Sequence, residues 1–164
     1  MRIPQILRKY VLWLLIVSVP YPLYNMVISN IIQDISPKIK TVEAAYVVLN
    51  EEKSKLGIKD KIVLQVSEDN KLKKVGVEGF CGRGNEGYVV GANMSELNRI
   101  LIRHELYHLF RDGCDKFRPT IDDFLKETIE AKKDLHIRNI IPNLKYYYLE
   151  EPRANLYAWT GLRF

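Results

Sequence analysis

Cysteine and histidine are scarce in this chain of 164 residues, which has two cysteines and three histidines. Cys81 and Cys114 do not form a Cys-x-x-Cys pair, so the usual redox motif and a structural zinc site built from such pairs are excluded. A disulfide between them would fit a domain outside the cytoplasm, whereas two unpaired thiols fit the sequence equally well. The cysteines therefore leave the compartment open.

Basic residues are in small excess, and they form no cluster. The chain carries 25 Lys and Arg against 20 Asp and Glu. Three of the basic residues lie within the first nine positions, ahead of the first acidic residue, Asp34, which leaves 22 basic against 20 acidic residues from there on. Binding to a phosphate backbone requires a basic stripe, and none is present in the sequence. We therefore expect no nucleic-acid partner.

No charged residue occurs between positions 10 and 33. A helix of this length exceeds the roughly 30 Å hydrocarbon core of a bilayer. Basic residues precede it and no small-x-small cleavage site follows, so residues 1–33 are predicted to be an uncleaved, single-pass signal anchor with the remaining domain extracytoplasmic. Pro20 and Pro22 predict a kink or an end in this transmembrane helix. A hydrophobic hairpin packed on the domain is the alternative.

Residues 34–164 have the pattern of one α+β domain. Short, β-branched runs at 61–66, 74–80 and 86–91 predict a small three-stranded sheet, mostly antiparallel. Helical spacing of apolar residues occurs before the sheet and after it. Four helices are predicted. The first begins at Ser36 and ends at Gly57, the second begins at Ser95 and ends at Gly113, the third begins at Thr120, and the last begins near Glu150 and ends at Gly161.

The stretch RHELYHLF, 103–110, places two of the three histidines one helical turn apart on an apolar face. Side chains at i and i+4 are about 5–6 Å apart at Cβ, so His104 and His108 are able to bind one zinc ion. Glu105 lies about 100° around the helix, where a carboxylate accepts the proton of a zinc-activated water. An apolar face has little reason to carry two histidines without partners. The motif predicts a zinc site with Glu105 as general base.

A hydrolytic zinc site has three protein ligands and one open position. The extended metzincin pattern requires Gly at 111 and His at 114, whereas this chain has Arg111 and Cys114, so that subclass is excluded. Other candidates for the third ligand are Glu151, Glu150, Asp112, Asp115, Cys114 and His136.

With the stretch LEEPRANLYAW, 149–159, the histidine motif resembles the gluzincin zinc metallopeptidases. The resemblance implies a zincin-like fold in which a glutamate on a later helix is the third ligand and a polar residue four positions on orients a ligating histidine. Glu151 and Asn155 take these positions. The sequence of residues 151–158 is also similar to the Glu-x-x-Ala-Asn-x-Phe-Ala stretch of ImmA/IrrE-like metallopeptidases. The matching residues are Glu151, Ala154, Asn155, Tyr157 and Ala158.

Two further features bear on how a substrate would be bound. Tyr148 and Tyr157 are candidate donors to a developing oxyanion, and aromatic packing is the alternative for both. The resemblance to zincin-like folds implies that the run GYVVG, 87–91, is the edge strand that pairs with an extended peptide, and a buried strand is the alternative.

The sequence thus predicts a membrane-anchored zinc peptidase that hydrolyses peptide or protein substrates, with His104, His108 and Glu151 as ligands. A non-catalytic interaction module on the same scaffold at the membrane is an alternative, and a non-proteolytic zinc hydrolase is another.

Overall fold

The computed structural model describes residues 27–28, 31–112, 114, 116–133 and 150–162. The helices and strands follow in the order α1 Val42–Leu56, β1 Ile62–Ser67, β2 Gly79–Gly84, β3 Gly87–Asn93, α2 Arg99–Asp112, α3 Ile121–Lys133 and α4 Glu151–Thr160. Two short 3₁₀ helices, Leu72–Val75 and Met94–Glu96, precede β2 and α2. The predicted α+β class is confirmed.

The sheet is mixed, with strand order β1-β3-β2. β2 and β3 form an antiparallel hairpin, whereas β1 lies parallel to β3 on its other side. The expectation of a mostly antiparallel sheet is therefore wrong for one of the two strand pairs. β3, which contains the run GYVVG, is therefore the central strand, and its prediction as an edge strand is wrong. The hairpin turn at 85–86 places β2 on the side of β3 that would otherwise be the edge.

The second strand differs most from its prediction. Residues 74 and 75, predicted to begin this strand, belong to the 3₁₀ helix Leu72–Val75, which ends at Gly76 in a left-handed conformation, and the strand begins at Gly79. Asn93 fixes this arrangement because its side-chain oxygen accepts a hydrogen bond from the backbone N–H of Leu72 at 3.2 Å. β2 has the sequence GFCGRG, whose glycines have low strand propensity, so the pattern of β-branched residues does not reveal it.

Two predicted helix starts are wrong, and four other predicted helix limits are confirmed. α1 begins after Thr41, whose hydroxyl accepts from the N–H of Ala44, and not at Ser36. α2 begins after Asn98, whose side-chain oxygen accepts from the N–H of Leu101 at 2.9 Å, and not at Ser95. The predicted limits that agree with the structure are Gly57, Thr120, Glu150 and Gly161. Gly113 lies outside the described residues.

α2 is the central helix of the domain, since it packs against α1, α4 and β2. Its buried side chains Leu101, Ile102 and Leu106 belong to one core with residues of α1, the sheet and α4. A smaller cluster on the opposite face of the sheet contains Phe80 and Phe124, whose rings stack at 4.4 Å. The helix that carries both histidines is thus held on several sides.

α3 is held to the outer side of β2 by an ion pair. Arg118 donates from Nη2 to Glu127 Oε1 at 3.0 Å and also contacts this carboxylate through Nε, while Lys116 Nζ donates to the same Oε1 at 2.8 Å. The hydrogen bond from Arg118 is the largest cause that lowers the pKa of Glu127 from 4.5 to about 2. The ion pair therefore contributes to stability when Glu127 is ionised.

Acidification is expected to remove this contribution. Because the folded-state pKa is depressed, the stabilisation is complete above pH 4.5 and is lost as the pH falls toward about 2. Glu127 is 36% exposed, so solvent screening limits the effect to on the order of 1 kcal/mol. In urea unfolding, Glu127→Gln is expected to be less stable than wild type at about pH 6 and equally stable at about pH 2. A difference that is the same at both pH values, or that Glu130→Gln on the same helix reproduces, would contradict this.

The predicted transmembrane segment lies mostly outside the described residues. Within them, no helix has the length and hydrophobicity that a bilayer crossing requires. Residues 31–35 are helical, and the carbonyl of Gln33 accepts from the side-chain amide of Asn98 at 3.4 Å. Residues Val27, Ile31 and Ile35 are each at least half exposed, the last at 76%. A hydrogen bond therefore links residues 31–35 to Asn98, the N-cap of α2, while the side chains of Val27, Ile31 and Ile35 face outward.

Candidate metal centre

His104 and His108 project from the same face of α2, as their spacing predicts. Their Nε2 atoms are 3.1 Å apart, and their rings meet edge to face with centroids 4.8 Å apart. Burial lowers the pKa of His104 to about 4, with a further decrease from His108 and opposing increases from Glu151 and Asn155. The imidazole of His104 is therefore neutral at physiological pH, which is the form that binds a metal ion.

Glu151 brings its carboxylate to both histidines from the first turn of α4. Glu151 Oε1 is 3.4 Å from His104 Nε2, and Oε2 is 3.4 Å from His108 Nε2. The close approach of α4 to α2 depends on small residues, because Ala154 and Ala158 are fully buried at the contact. Tyr157 stacks on Tyr107 of α2 with ring centroids 5.2 Å apart.

The positions of these three groups allow them to hold one ion. His104 Nε2 and His108 Nε2 are 3.1 Å apart, close to the roughly 3.3–3.4 Å between two ligand atoms bound at about 2.0–2.1 Å to a tetrahedral zinc. The two distances of 3.4 Å to Glu151 end on different oxygens, and with one ligand atom from each residue the three atoms lie within 4.8 Å of one another. Among the described residues, His104, His108 and Glu151 form the one group of three side chains with this capacity. The structure thus brings together the three residues that the sequence predicts to be ligands.

Glu105 is buried beside this group, next to the first residue of β2. Its side chain is on the same helix as the histidines and is 6% exposed. Burial raises its pKa to about 7, an effect that His108 opposes and Glu151 reinforces. A Cβ built on Gly79 would lie 3.0 Å from Glu105 Oε1, so glycine at this position leaves room for the carboxylate. Glu105 therefore lies on the side of α2 that faces the first residue of β2.

Asn155 lies one turn after Glu151 and hydrogen-bonds through its side chain to His104. It is 3% exposed. A hydrogen bond to one imidazole nitrogen fixes the orientation of the ring and leaves the other nitrogen for a metal ion. The contact is the one expected from the spacing of Glu151 and Asn155.

Of the other residues singled out in the sequence, those that the structure describes do not join the group. Tyr157 is 1% exposed and packs in the core against Tyr107, which is the alternative considered for it. Glu150 precedes α4 and lies outside the histidine–glutamate group. Cys114 is bonded to Cys81. Tyr148, Asp115 and His136 lie outside the described residues, as does the side chain of Asp112.

The disulfide between Cys81 and Cys114 joins β2 to the residues that follow α2, with the two Cα atoms 6.4 Å apart. The sequence left this pairing open. β2 also contacts Glu105 through Gly79. The disulfide therefore links β2 to the end of α2, the helix that carries His104, Glu105 and His108.

A buried ion-pair network beneath the site was not predicted from the sequence. Glu52 of α1 is fully buried and lies within 3.1 Å of Arg99 and Arg103, both on α2. The signal for it in the sequence is slight: Glu52 shares helical spacing with Leu49 and Leu56, which are apolar and buried. An acidic residue on an apolar helix face indicates a buried partner but does not identify it.

No family model, no curated protein and no solved structure matches this chain.

Proposed function

We propose that this protein is a membrane-anchored, zinc-dependent peptidase of the gluzincin type. The observation that carries the proposal is the convergence of His104, His108 and Glu151, whose ligand atoms lie within 4.8 Å of one another, with Glu105 buried next to them. Two histidines and one carboxylate are the ligand set of gluzincin catalytic zinc sites, and three protein ligands leave the fourth position for water or substrate.

Each site residue has a distinct task in hydrolysis. Zinc, when bound, would supply a Lewis acid that polarises the scissile carbonyl and lowers the pKa of water. Glu105 would accept the proton of the attacking water and then donate it to the leaving amine. Asn155 would hold His104 in the orientation needed for binding, because it hydrogen-bonds to that ring. No covalent intermediate between the enzyme and the substrate is required.

Anchoring to a membrane is supported by the uncharged stretch between positions 10 and 33 and by the outward-facing Val27, Ile31 and Ile35. The hydrogen bond from Asn98 to the carbonyl of Gln33 leaves little freedom between this stretch and α2. We therefore propose that the site works close to the bilayer surface, on substrates in the membrane or next to it.

The test is metal analysis and peptide cleavage with the full chain in detergent micelles. We expect about one zinc per chain and cleavage of a mixed peptide library that a chelator abolishes and added zinc restores. A chain that stays free of metal after dialysis against zinc would overturn the proposal. Zinc binding without cleavage of any peptide would instead favour the interaction module.

A further inference from the structure

Arg103, the residue before the first histidine, connects three helices. From α2 its guanidinium pairs with Glu52 of α1, with Nε 2.9 Å from Oε2 and Nη2 3.1 Å from Oε1. Its Nη1 donates to the carbonyl of Ala158, near the end of α4, at 3.4 Å. Gly161, the C-cap of α4, faces the same guanidinium, since a Cβ built there would lie 3.6 Å from Nη2.

Glu52 holds this guanidinium in place. Its side chain has no exposed surface and is surrounded by cations, with Lys55 Nζ and Arg99 Nη1 both 2.9 Å from Oε1. Burial raises the pKa of Glu52, but hydrogen bonds from Arg103 and Lys55 outweigh this effect and the net pKa is lowered. A buried carboxylate of this kind strongly disfavours any movement that removes its partner. Arg103 is therefore anchored on one side while it contacts α4 on the other.

The contact between Arg103 and α4 bears on the geometry of the ligands. α2 supplies two of them and α4 supplies the third, so their separation depends on how the two helices are held together. Ligand distances must be correct to about 0.2 Å. A cation at the C-terminal end of a helix is also favoured by the helix dipole, which strengthens the contact with the Ala158 carbonyl.

We propose that Arg103 is a positioning residue for the metal centre: held by Glu52, it fixes the C-terminal end of α4 and so keeps Glu151 at ligating distance from His104 and His108. This inference rests on the proposed function, because it assigns Arg103 a task in metal binding. Arg103 itself is not one of the three candidate ligands, and its polar partners are Glu52 and the carbonyl of Ala158.

Arg99 provides a matched control. It lies one turn before Arg103 on α2 and pairs with the same Glu52, and it also pairs with Glu51 at 2.7 Å. Among the described residues, the hydrogen bonds and ion pairs of Arg99 are to Glu51 and Glu52 of α1, with none to α4. Arg99→Gln and Arg103→Gln therefore each remove one cation from Glu52, but only the second removes a contact with the helix of Glu151.

The experiment measures zinc affinity by chelator competition and the visible absorption spectrum of Co²⁺ bound in place of zinc, on the full chain in detergent. Arg103→Gln is expected to lower zinc affinity by about 10- to 100-fold, the usual range for groups that orient metal ligands. Its Co²⁺ spectrum is expected to lose the intensity typical of four-coordinate sites. Arg99→Gln is expected to keep the affinity and spectrum of wild type.

Arg103→Lys decides the question if Arg103→Gln does not fold. Lysine keeps a charge for Glu52, but its single ammonium group lacks the planar fork that reaches Glu52 and Ala158 together, so zinc affinity is expected to fall in a folded protein. Wild-type affinity in Arg103→Lys, or equal losses in Arg99→Gln and Arg103→Gln, would overturn the positioning role alone. Absence of zinc from the wild type would overturn the proposed function and this inference together.

Discussion

Replacing Glu105 with glutamine is expected to reduce peptide hydrolysis by about 100- to 10,000-fold while leaving zinc binding intact. Glutamine has nearly the same shape as glutamate and fits the buried position beside Gly79. Its amide does not accept a proton from water, so the general-base step is lost. Because Glu105 is not in the group of potential ligands, the metal content is expected to stay at the wild-type level.

The measurement is the ratio kcat/KM on a peptide that the wild type cleaves, together with zinc content and the thermal unfolding midpoint. Glu150→Gln is the matched control, because this acid lies next to Glu151 and outside the histidine–glutamate group. A Glu105→Gln variant that retains full activity would exclude Glu105 as the base. A comparable loss of kcat/KM in Glu150→Gln would assign the role of general base to Glu150 instead.

Replacing His108 with alanine is expected to remove zinc from the protein, with an affinity loss of at least about 100-fold. The loss exceeds the range for groups that only orient ligands, because the variant lacks a ligand itself. The imidazole of His108 lies within 3.4 Å of His104 and Glu151, and no other described side chain replaces it in the group. Zinc per chain, measured after dialysis against a weak chelator, checks this result.

Two comparisons separate the loss of a ligand from general damage. Chelator-treated wild type gives the stability of the metal-free fold, and His108→Ala is expected to unfold at a similar temperature. His136→Ala removes the remaining histidine of the chain. Full zinc content in His108→Ala would refute the ligand assignment, whereas loss of zinc in His136→Ala would add His136 to the site.

The candidate site could be predicted well from the sequence because its parts are local in helices. His104 and His108 share a helix face by spacing alone, and so do Glu151 and Asn155. Spacing does not show that α4 packs against α2, and this was expected from the resemblance to gluzincins. The pairing of Glu52 with Arg103, 51 positions apart, could not be predicted, because nothing local identifies the partner of a buried charge.

The α+β class of the fold could be predicted from the sequence, but the position of β2 and the starts of two helices could not. The position of β2 is predicted wrongly because its glycines serve packing: a Cβ on Gly82 would lie 2.7 Å from the Cβ of Arg118, so Arg118 occupies space that a side chain would fill. The helix starts were misplaced because Ser36, Thr41, Ser95 and Asn98 are all suitable N-cap residues. Tertiary contacts select among them, as the link between Asn98 and Gln33 illustrates.

The burial of Glu52 constrains how this protein is able to evolve. A change at Glu52 alone would leave Arg103 without its anchor, and a change at Arg103 alone would leave a buried carboxylate with weaker compensation. Replacement of both by well-packed apolar residues is far less costly than either single step. Among descendants of this chain, positions 52 and 103 are therefore expected to vary together.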